Sequence, residues 1–336
     1  MSYTKKQPKM SYSKGNTYEQ CHFKYYLTYE LNNFFFGESL ASDFGTLVHF
    51  CEQQIFNALK NKQVVNYEKL KQDFQTINIP KKDKFDTDGG IFGINILKEK
   101  YKEEFYKTND LGQSFYSRAL DYMATGIYRL EDYLKANPDL EPWEAEKYFS
   151  ISYEGFLFSG HIDRIFYNKL TDEYIIEDIK TKLKLFKEDE LTTPLQFIIY
   201  CMGLNEELDI PYEKMSCKYD LPFLGTKQDA GTKGFIKRGM RQLTAILDGI
   251  KNKDWEPNPG ALCYYCPYCN QNPEQPAGAE NLCPYYSLWT PDEKVKTVAA
   301  KWDGMEHHEE VLQHFLLRYG KNITVKKIAD EFDFEF

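Results

Sequence analysis

Ser159–Lys182 reads SGHIDRIFYNKLTDEYIIEDIKTK, and the rest of the chain takes its meaning from this stretch. β-Branched and aromatic residues flank the polar cluster Asn168, Lys169, Leu170, Thr171 and Asp172, which predicts two adjacent strands joined by a turn. Side chains alternate along a strand. His161, Asp163 and Ile165 therefore share one face of the first strand, and Tyr174, Ile176, Asp178 and Lys180 share one face of the second. Asp163, Asp178 and Lys180 can converge on one patch. Two carboxylates suit a hard divalent cation, with an ammonium left for a phosphate or a water. The competing reading is a solvated hairpin with a surface ion pair, because Asp-X-Lys is a common tripeptide.

With 336 residues, 42% of them hydrophobic, the chain can build one large or two ordinary cores. It has no apolar run long enough to span a membrane, and MSYTKKQPKM lacks the apolar centre of a signal peptide. A soluble, cytoplasmic protein without a membrane partner is expected. The abundance of Tyr, Phe, Lys and Asn suits an AT-rich coding sequence, as in low-GC bacteria or viruses, so the compartment is a bacterial cell or a virus-infected host. A formal charge of -9 excludes a general nucleic-acid coat protein, but not a nuclease with a local contact surface and an acidic metal site. Of eight cysteines, Cys21, Cys51, Cys201 and Cys217 are scattered, whereas Cys263, Cys266, Cys269 and Cys283 crowd together, a pattern that favours metal over disulfides.

Ser13 precedes a short helical run through Tyr18, Cys21, Tyr25 and Leu27. A stronger helix is expected over residues 43–59, capped by Ser42 or Asp43, with Leu47, Phe50, Ile55 and Leu59 as its apolar stripe and His49 and Glu52 on one face. Residues 60–140 read as a helical insert, whose last helix, 114–136, places Leu120, Met123, Ile127, Leu130 and Leu134 at helical spacing. Strands follow at EAEKYFSISY, GFLFSGHIDRIFY and EYIIEDIK, with connections short enough for antiparallel neighbours. The next helix carries Gln196 and Tyr200 four residues apart, on one face. KMSCKYDLPF is a further strand, 225–234 reads as a loop, and a helix runs through Arg238, Arg241, Leu243 and Ile246. Residues 261–288 lack apolar periodicity and need a metal to hold them. Residues 291–319 are expected to be mostly helical, before the acidic and aromatic end ADEFDFEF.

Read together, these pieces resemble the PD-(D/E)XK nuclease superfamily. Within it they are similar to the RecB-like branch that carries an iron–sulfur cluster, including AddB-type helicase-nucleases and CRISPR adaptation nucleases. The resemblance covers residues 11–288 in the family's order. SYSKGNTYEQCHFKYYL matches the opening element with its isolated cluster cysteine, Cys21, and GTLVHF supplies the metal-binding His49. GHIDRIF supplies the first acidic ligand, Asp163, and Asp178-Ile179-Lys180 matches the (D/E)XK element. Gln196 and Tyr200 match the Gln-X-X-X-Tyr helix, and CYYCPY followed by Cys283-Pro284 matches the closing cysteines. The departure lies in residues 269–282, read as containing an insertion, with Cys269 as rival to Cys283 for the fourth cluster position.

The resemblance implies an α/β fold with a mixed central β-sheet flanked by helices. It places a nuclease domain at 11–290, enclosing the helical insert at 60–140 and the cysteine-rich region at 261–288, and leaves a C-terminal helix and acidic-aromatic tail at 291–336. It implies a DNA exonuclease of recombination, replication or repair, in which His49, Asp163, Asp178 and the Ile179 carbonyl hold Mg²⁺ or Mn²⁺. Lys180 orients the water or stabilises developing charge, and Gln196 and Tyr200 hold the substrate backbone or support Lys180. Glu177 and Arg164 are expected off the catalytic face, and Glu52 is read as only a helical neighbour of His49. A 4Fe-4S cluster on Cys21, Cys263, Cys266 and Cys283 stands against structural zinc on Cys263, Cys266, Cys269 and Cys283. DNA is the implied partner, with a helicase or single-stranded DNA-binding protein beside it; the end ADEFDFEF resembles the acidic, aromatic tips that single-stranded DNA-binding proteins use to recruit partners, with a disordered or packed tail as the competing reading. A catalytically silent DNA-binding or scaffold module is the alternative.

Overall fold

The computed structural model describes residues 7–35, 39–80, 90–231, 234–258, 261–269, 272, 275–279 and 282–283, and the backbone of 286–290, 293–301 and 323–328. The chain divides into two compact units, Met1–Ser11 with Glu38–Arg241, and Tyr12–Gly37 with Gln242–Phe336.

The first unit is built on a six-stranded mixed sheet. After β1 (Lys9–Met10) of the first unit come α1 (Tyr12–Gln20) and α2 (His22–Tyr25) of the second, and then α3 (Leu40–Lys60), which opens the body of the first unit. It is followed by α4 (Tyr67–Thr76), a small hairpin of β2 (Asn78–Ile79) and β3 (Ile91–Phe92), and the helices α5 (Ile94–Tyr106), α6 (Phe115–Ala124) and α7 (Arg129–Ala136). Three long strands come next, β4 (Leu140–Tyr153), β5 (Phe156–Asn168) and β6 (Glu173–Ile179). They are joined by short turns and pair antiparallel in succession, as their alternating sequences predict. α8 (Glu188–Thr192) and α9 (Leu195–Leu208) make the crossover that the parallel pairing of β6 with β7 (Met215–Leu221) requires. β8 (Thr226–Ala230) returns antiparallel to β7 and leads to α10 (Phe235–Lys251), along which the division between the units falls.

Helices cover both faces of the sheet. On one, Leu40, Phe44, Leu47, Val48, Cys51, Ile55 and Phe56 of α3 join Leu70, Phe74, Leu97, Phe105 and Tyr122 of the following helices over Phe166 and Ile175. On the other lies α9, whose residues from Leu195 to Leu204 are all buried. Gly203 permits that approach, since a Cβ there would stand 2.7 Å from the Phe149 ring.

Four local expectations change. α3 starts at Leu40, because Ser39 rather than Ser42 or Asp43 caps it, its hydroxyl accepting from the Ser42 amide at 3.2 Å. The single helix expected at 114–136 breaks between α6 and α7 at Gly126–Tyr128, a 3₁₀ turn where a Cβ on Gly126 would meet the Tyr122 ring at 2.6 Å. The loop read at 225–234 contains β8, whose pairing with β7 outweighs its polar composition. The helix expected from Pro291 carries strand backbone in β10 (Glu293–Lys301), which pairs with β9 (Tyr286–Thr290) and β11 (Ile323–Ile328) in a three-stranded sheet. The β-branched Val295, Thr297 and Val298 favour that state. Residues 302–319 and the tail at 333–336 lie outside the described residues.

Candidate active site

The candidate site lies where β6 stops. Arg164 pairs with Glu177 and Ile165 with Ile176, so Asp163 and Asp178 stand opposite one another on one face. Asp163 Oδ2 accepts from the Ile179 amide at 2.6 Å, fixing its carboxylate at the strand end. His49, from the middle of α3, places Nε2 3.0 Å from the Ile179 carbonyl oxygen and Nδ1 3.6 Å from Asp163 Oδ2. Lys180 Nζ stands 2.7 Å from Asp178 Oδ2, and its amide donates to the Asp220 carbonyl at 2.9 Å, carrying the β6–β7 pairing one residue past the strand. Burial pushes the Asp178 carboxyl up to about 6 against the pull of the Lys180 ammonium, and the nearby Asp163 carboxylate adds to the rise.

Gln196 and Tyr200 lie on α9 behind Asp178. Gln196 Nε2 donates to the Tyr200 hydroxyl at 2.8 Å, and that hydroxyl donates to Asp178 Oδ1 at 3.4 Å. Both residues are less than a tenth exposed, at 9% and 7%. Burial, then Asp178 and Asp163, raise the Tyr200 pKa well above that of a free phenol, keeping it a donor.

These residues fit a hard cation. Ligands about 2.1 Å from Mg²⁺ at adjacent octahedral corners are about 3 Å apart, a length that also serves a hydrogen bond. His49 Nε2 and the Ile179 oxygen have that separation, beside Asp163. Glu146, absent from the sequence reading, joins them: His49, Glu146 and Asp163 offer ligand atoms within 4.8 Å of one another. Ala145 and Lys147 pair with Arg164 and Ile162, which sets Glu146 across from Asp163. Glu146 also has a φ of 48°, a left-handed conformation inside a strand. Strand alternation makes Glu146 no different from Glu144 until the pairing register is known.

Glu177 and Arg164 point off the catalytic face, as expected, and Glu52 of α3 turns to Arg164 there. Arg164 is fully buried, with Nη1 2.7 Å from Glu52 and Nη2 3.1 Å from Glu177 and in contact with Asp220. Lys227 meets Glu177 at 2.6 Å and Asp220 at 3.4 Å, while Arg129 donates to Asp220 at 3.0 Å. Burial alone would lower the Arg164 pKa, but Asp220, Glu177 and Glu52 outweigh it and raise it. Burial likewise favours neutral Asp220, but Lys227, Arg164 and Arg129 hold its carboxyl well below the usual range. Three cations thus balance three carboxylates directly behind the site's two strands.

The second unit gathers five cysteines. Cys21 caps α2, its sulfur accepting from the Lys24 and Asn258 amides, each at 3.4 Å. Cys21, Cys263, Cys266, Cys269 and Cys283 line one cavity with Phe23, Leu27, Pro257 and Tyr268. Burial pushes the Cys266 thiol up to about 11, so a bound metal would be needed to hold it as a thiolate near neutrality. A tetrahedral zinc would bring four sulfurs to about 3.8 Å of one another, given Zn–S bonds of about 2.3 Å. The cysteines of this cavity would suit structural zinc or a 4Fe-4S cluster alike. The other three, Cys51, Cys201 and Cys217, are buried elsewhere, the last two with sulfurs 3.7 Å apart.

A family model described as the PD-(D/E)XK nuclease superfamily matches residues 9–271. Among solved structures, a candidate exonuclease from Eubacterium rectale is 14% identical, with 79% of this chain and 88% of that chain covered and a TM-score of 0.41. The structure of SSO0001 is 19% identical, with 53% of this chain and 79% of that chain covered and a TM-score of 0.21. No curated protein matches the chain in sequence. Among the described residues, no helix is long and apolar enough to cross a membrane.

Proposed function

The chain belongs to the PD-(D/E)XK nuclease superfamily, matched over residues 9–271, and from that premise we propose that it is a Mg²⁺- or Mn²⁺-dependent DNA exonuclease of the RecB-like branch. The observation that carries this reading is the meeting of His49, Asp163, Asp178, the Ile179 carbonyl and Lys180 at the end of β6. His49, Asp163, Asp178, the Ile179 carbonyl and Glu146 would hold one or two ions, which polarise the phosphate and acidify a water when bound. Asp163 is locked by the Ile179 amide, so it meets its ligand without reorganising. Lys180, held by Asp178, keeps an ammonium where the attacking water is oriented and negative charge develops. Gln196 and Tyr200 position Asp178 rather than hold the DNA backbone, because both are nearly buried and form a relay in which Gln196 holds the Tyr200 hydroxyl and that hydroxyl holds the Asp178 carboxylate.

End-labelled single- and double-stranded DNA, digested with Mg²⁺ or Mn²⁺ by the wild type, Asp178→Ala and Lys180→Ala, tests activity and polarity together. Loss of at least about 100-fold in both variants is expected. Equal activity in all three would mean that the cleavage does not come from this site and would sink the enzymatic reading in favour of a silent DNA-binding module.

The five-cysteine cavity supports a structural 4Fe-4S cluster that joins Cys21 to the C-terminal cysteines. Cys263 and Cys266 serve with Cys21, and Cys269 and Cys283 both reach the cavity as candidates for the fourth position. Work on DNA ends in recombination, replication or repair, in the cytoplasm and beside a helicase or a single-stranded DNA-binding protein, accords with this chemistry.

A further inference from the structure

We propose that Arg118 binds a backbone phosphate of the DNA strand within about two nucleotides of the scissile bond. This deepens the nuclease reading and rests on it. Arg118 is on α6, within the stretch read from the sequence as a helical insert, and is only 7% exposed. Its guanidinium carbon stands 5.1, 4.7 and 4.5 Å from the ring centroids of Phe44, Phe115 and Phe223. Nη2 donates to the Thr181 carbonyl, and Nε is buried without a partner. No carboxylate pairs with it among the described residues, and its pKa falls to about 10 through burial alone. Arg164, the other deeply buried arginine, is ringed by three carboxylates. A buried cation without an anion is costly and is ordinarily paired.

The position of Arg118 identifies the missing anion. Thr181 directly follows Lys180 and lies two residues beyond the Ile179 carbonyl, a span of about 7 Å at roughly 3.3 Å per residue. Successive phosphates on one strand are separated by a sugar and its ester bonds, a spacing of the same order as this span, so Arg118 would meet a phosphate within two nucleotides of the reacting one. Gly45, one turn before His49, lets α3 close on this strand end, since a Cβ there would sit 3.4 Å from the Thr181 hydroxyl. A phosphodiester is the ligand class that matches a planar donor fork anchored on the residue after Lys180. The rings of Phe44, Phe115 and Phe223 keep the fork in place until the anion arrives.

The test is charge-specific. DNA carrying one neutral methylphosphonate, moved in turn through the first six phosphates from each end, is bound in Ca²⁺ by the wild type, Arg118→Met and Arg118→Lys. The wild type should lose about tenfold in affinity at one position. Arg118→Met should bind unmodified DNA about tenfold more weakly, lose nothing further at that position, and show a salt slope lower by about one. Arg118→Lys, which keeps the charge, should retain a penalty at the same phosphate and guards against a misfolded Met variant. Overturning results are a wild type with no position-specific penalty, or an Arg118→Met protein that keeps the wild-type pattern, which would leave Arg118 as an anchor for Thr181. If the wild type cleaves DNA while either result is found, the nuclease reading survives and this proposal fails.

Discussion

Replacing Arg164 by Met should cost about 3–5 kcal/mol, and the cost should grow with pH. Arg164, Arg129 and Lys227 balance Glu52, Glu177 and Asp220 in a buried network. Methionine fills similar space, but it leaves three buried carboxylates facing two cations. Breaking a buried pair from one side strands a charge, which costs about 3–5 kcal/mol, whereas replacing both partners can be neutral. With m in urea of about 1–3 kcal/mol/M, the midpoint should fall by at least about 1 M.

The pH dependence follows from which state binds the proton. In the wild type the Asp220 carboxyl is depressed, so its contribution is complete above the unfolded carboxylate pKa of about 3.9 and is lost only in acid. In the variant, burial favours the neutral form of whichever carboxylate is left without a cation. Such a group binds its proton in the folded state, so the stability it contributes is present at low pH and lost as pH rises. Asp178 titrates in both proteins and cancels in the difference. Urea unfolding at pH 5, 6, 7 and 8, followed by circular dichroism, measures the gap between variant and wild type. A gap under about 1 kcal/mol at pH 8, or one that widens toward pH 5, would refute the reasoning.

Glu146→Gln should leave the fold intact and raise the Mg²⁺ needed for half-maximal cleavage about tenfold, read by metal titration at constant DNA, because one anionic ligand becomes neutral. Unchanged metal dependence would remove Glu146 from the site. Protein purified without oxygen should be brown, and Cys21→Ser or Cys266→Ser should bleach it with loss of iron, while Cys201→Ala keeps the colour because Cys201 lies away from the cavity. A colourless wild type with stoichiometric zinc would reject the cluster.

The fold was legible where its signal is local. β-Branched and aromatic residues around the Asn168–Asp172 turn marked β5 and β6, and the stripe through Leu47 and Ile55 marked α3, although a cap at Ser39 moved its start. The polar run at Thr226–Ala230 was not legible, because β8 is a strand only through its pairing with β7. The break at Gly126 was hidden for a related reason, since apolar spacing continues through a 3₁₀ turn. Within the candidate site, Glu146 was invisible, because nothing in EAEKYFSISY says which glutamate meets Asp163.

The sequence by itself determined which side chains share a face. A period of two puts Asp163 and Asp178 on one side of the hairpin and Arg164 and Glu177 on the other, and a period of 3.6 joins Gln196 to Tyr200. These are properties of a few adjacent peptide units. Tertiary structure alone decided what each face meets: His49 at the Ile179 carbonyl, Tyr200 at Asp178, Arg118 at Thr181, and Cys21 in one cavity with the late cysteines. Those partners lie 130, 22, 63 and more than 200 residues apart, and only the packing of helices on the sheet, and of the chain's start against its cysteine-rich region, fixes their separations. The same stretch, SGHIDRIFYNKLTDEYIIEDIKTK, would be an ordinary surface hairpin if α3 and α9 did not bring His49 and Tyr200 to it.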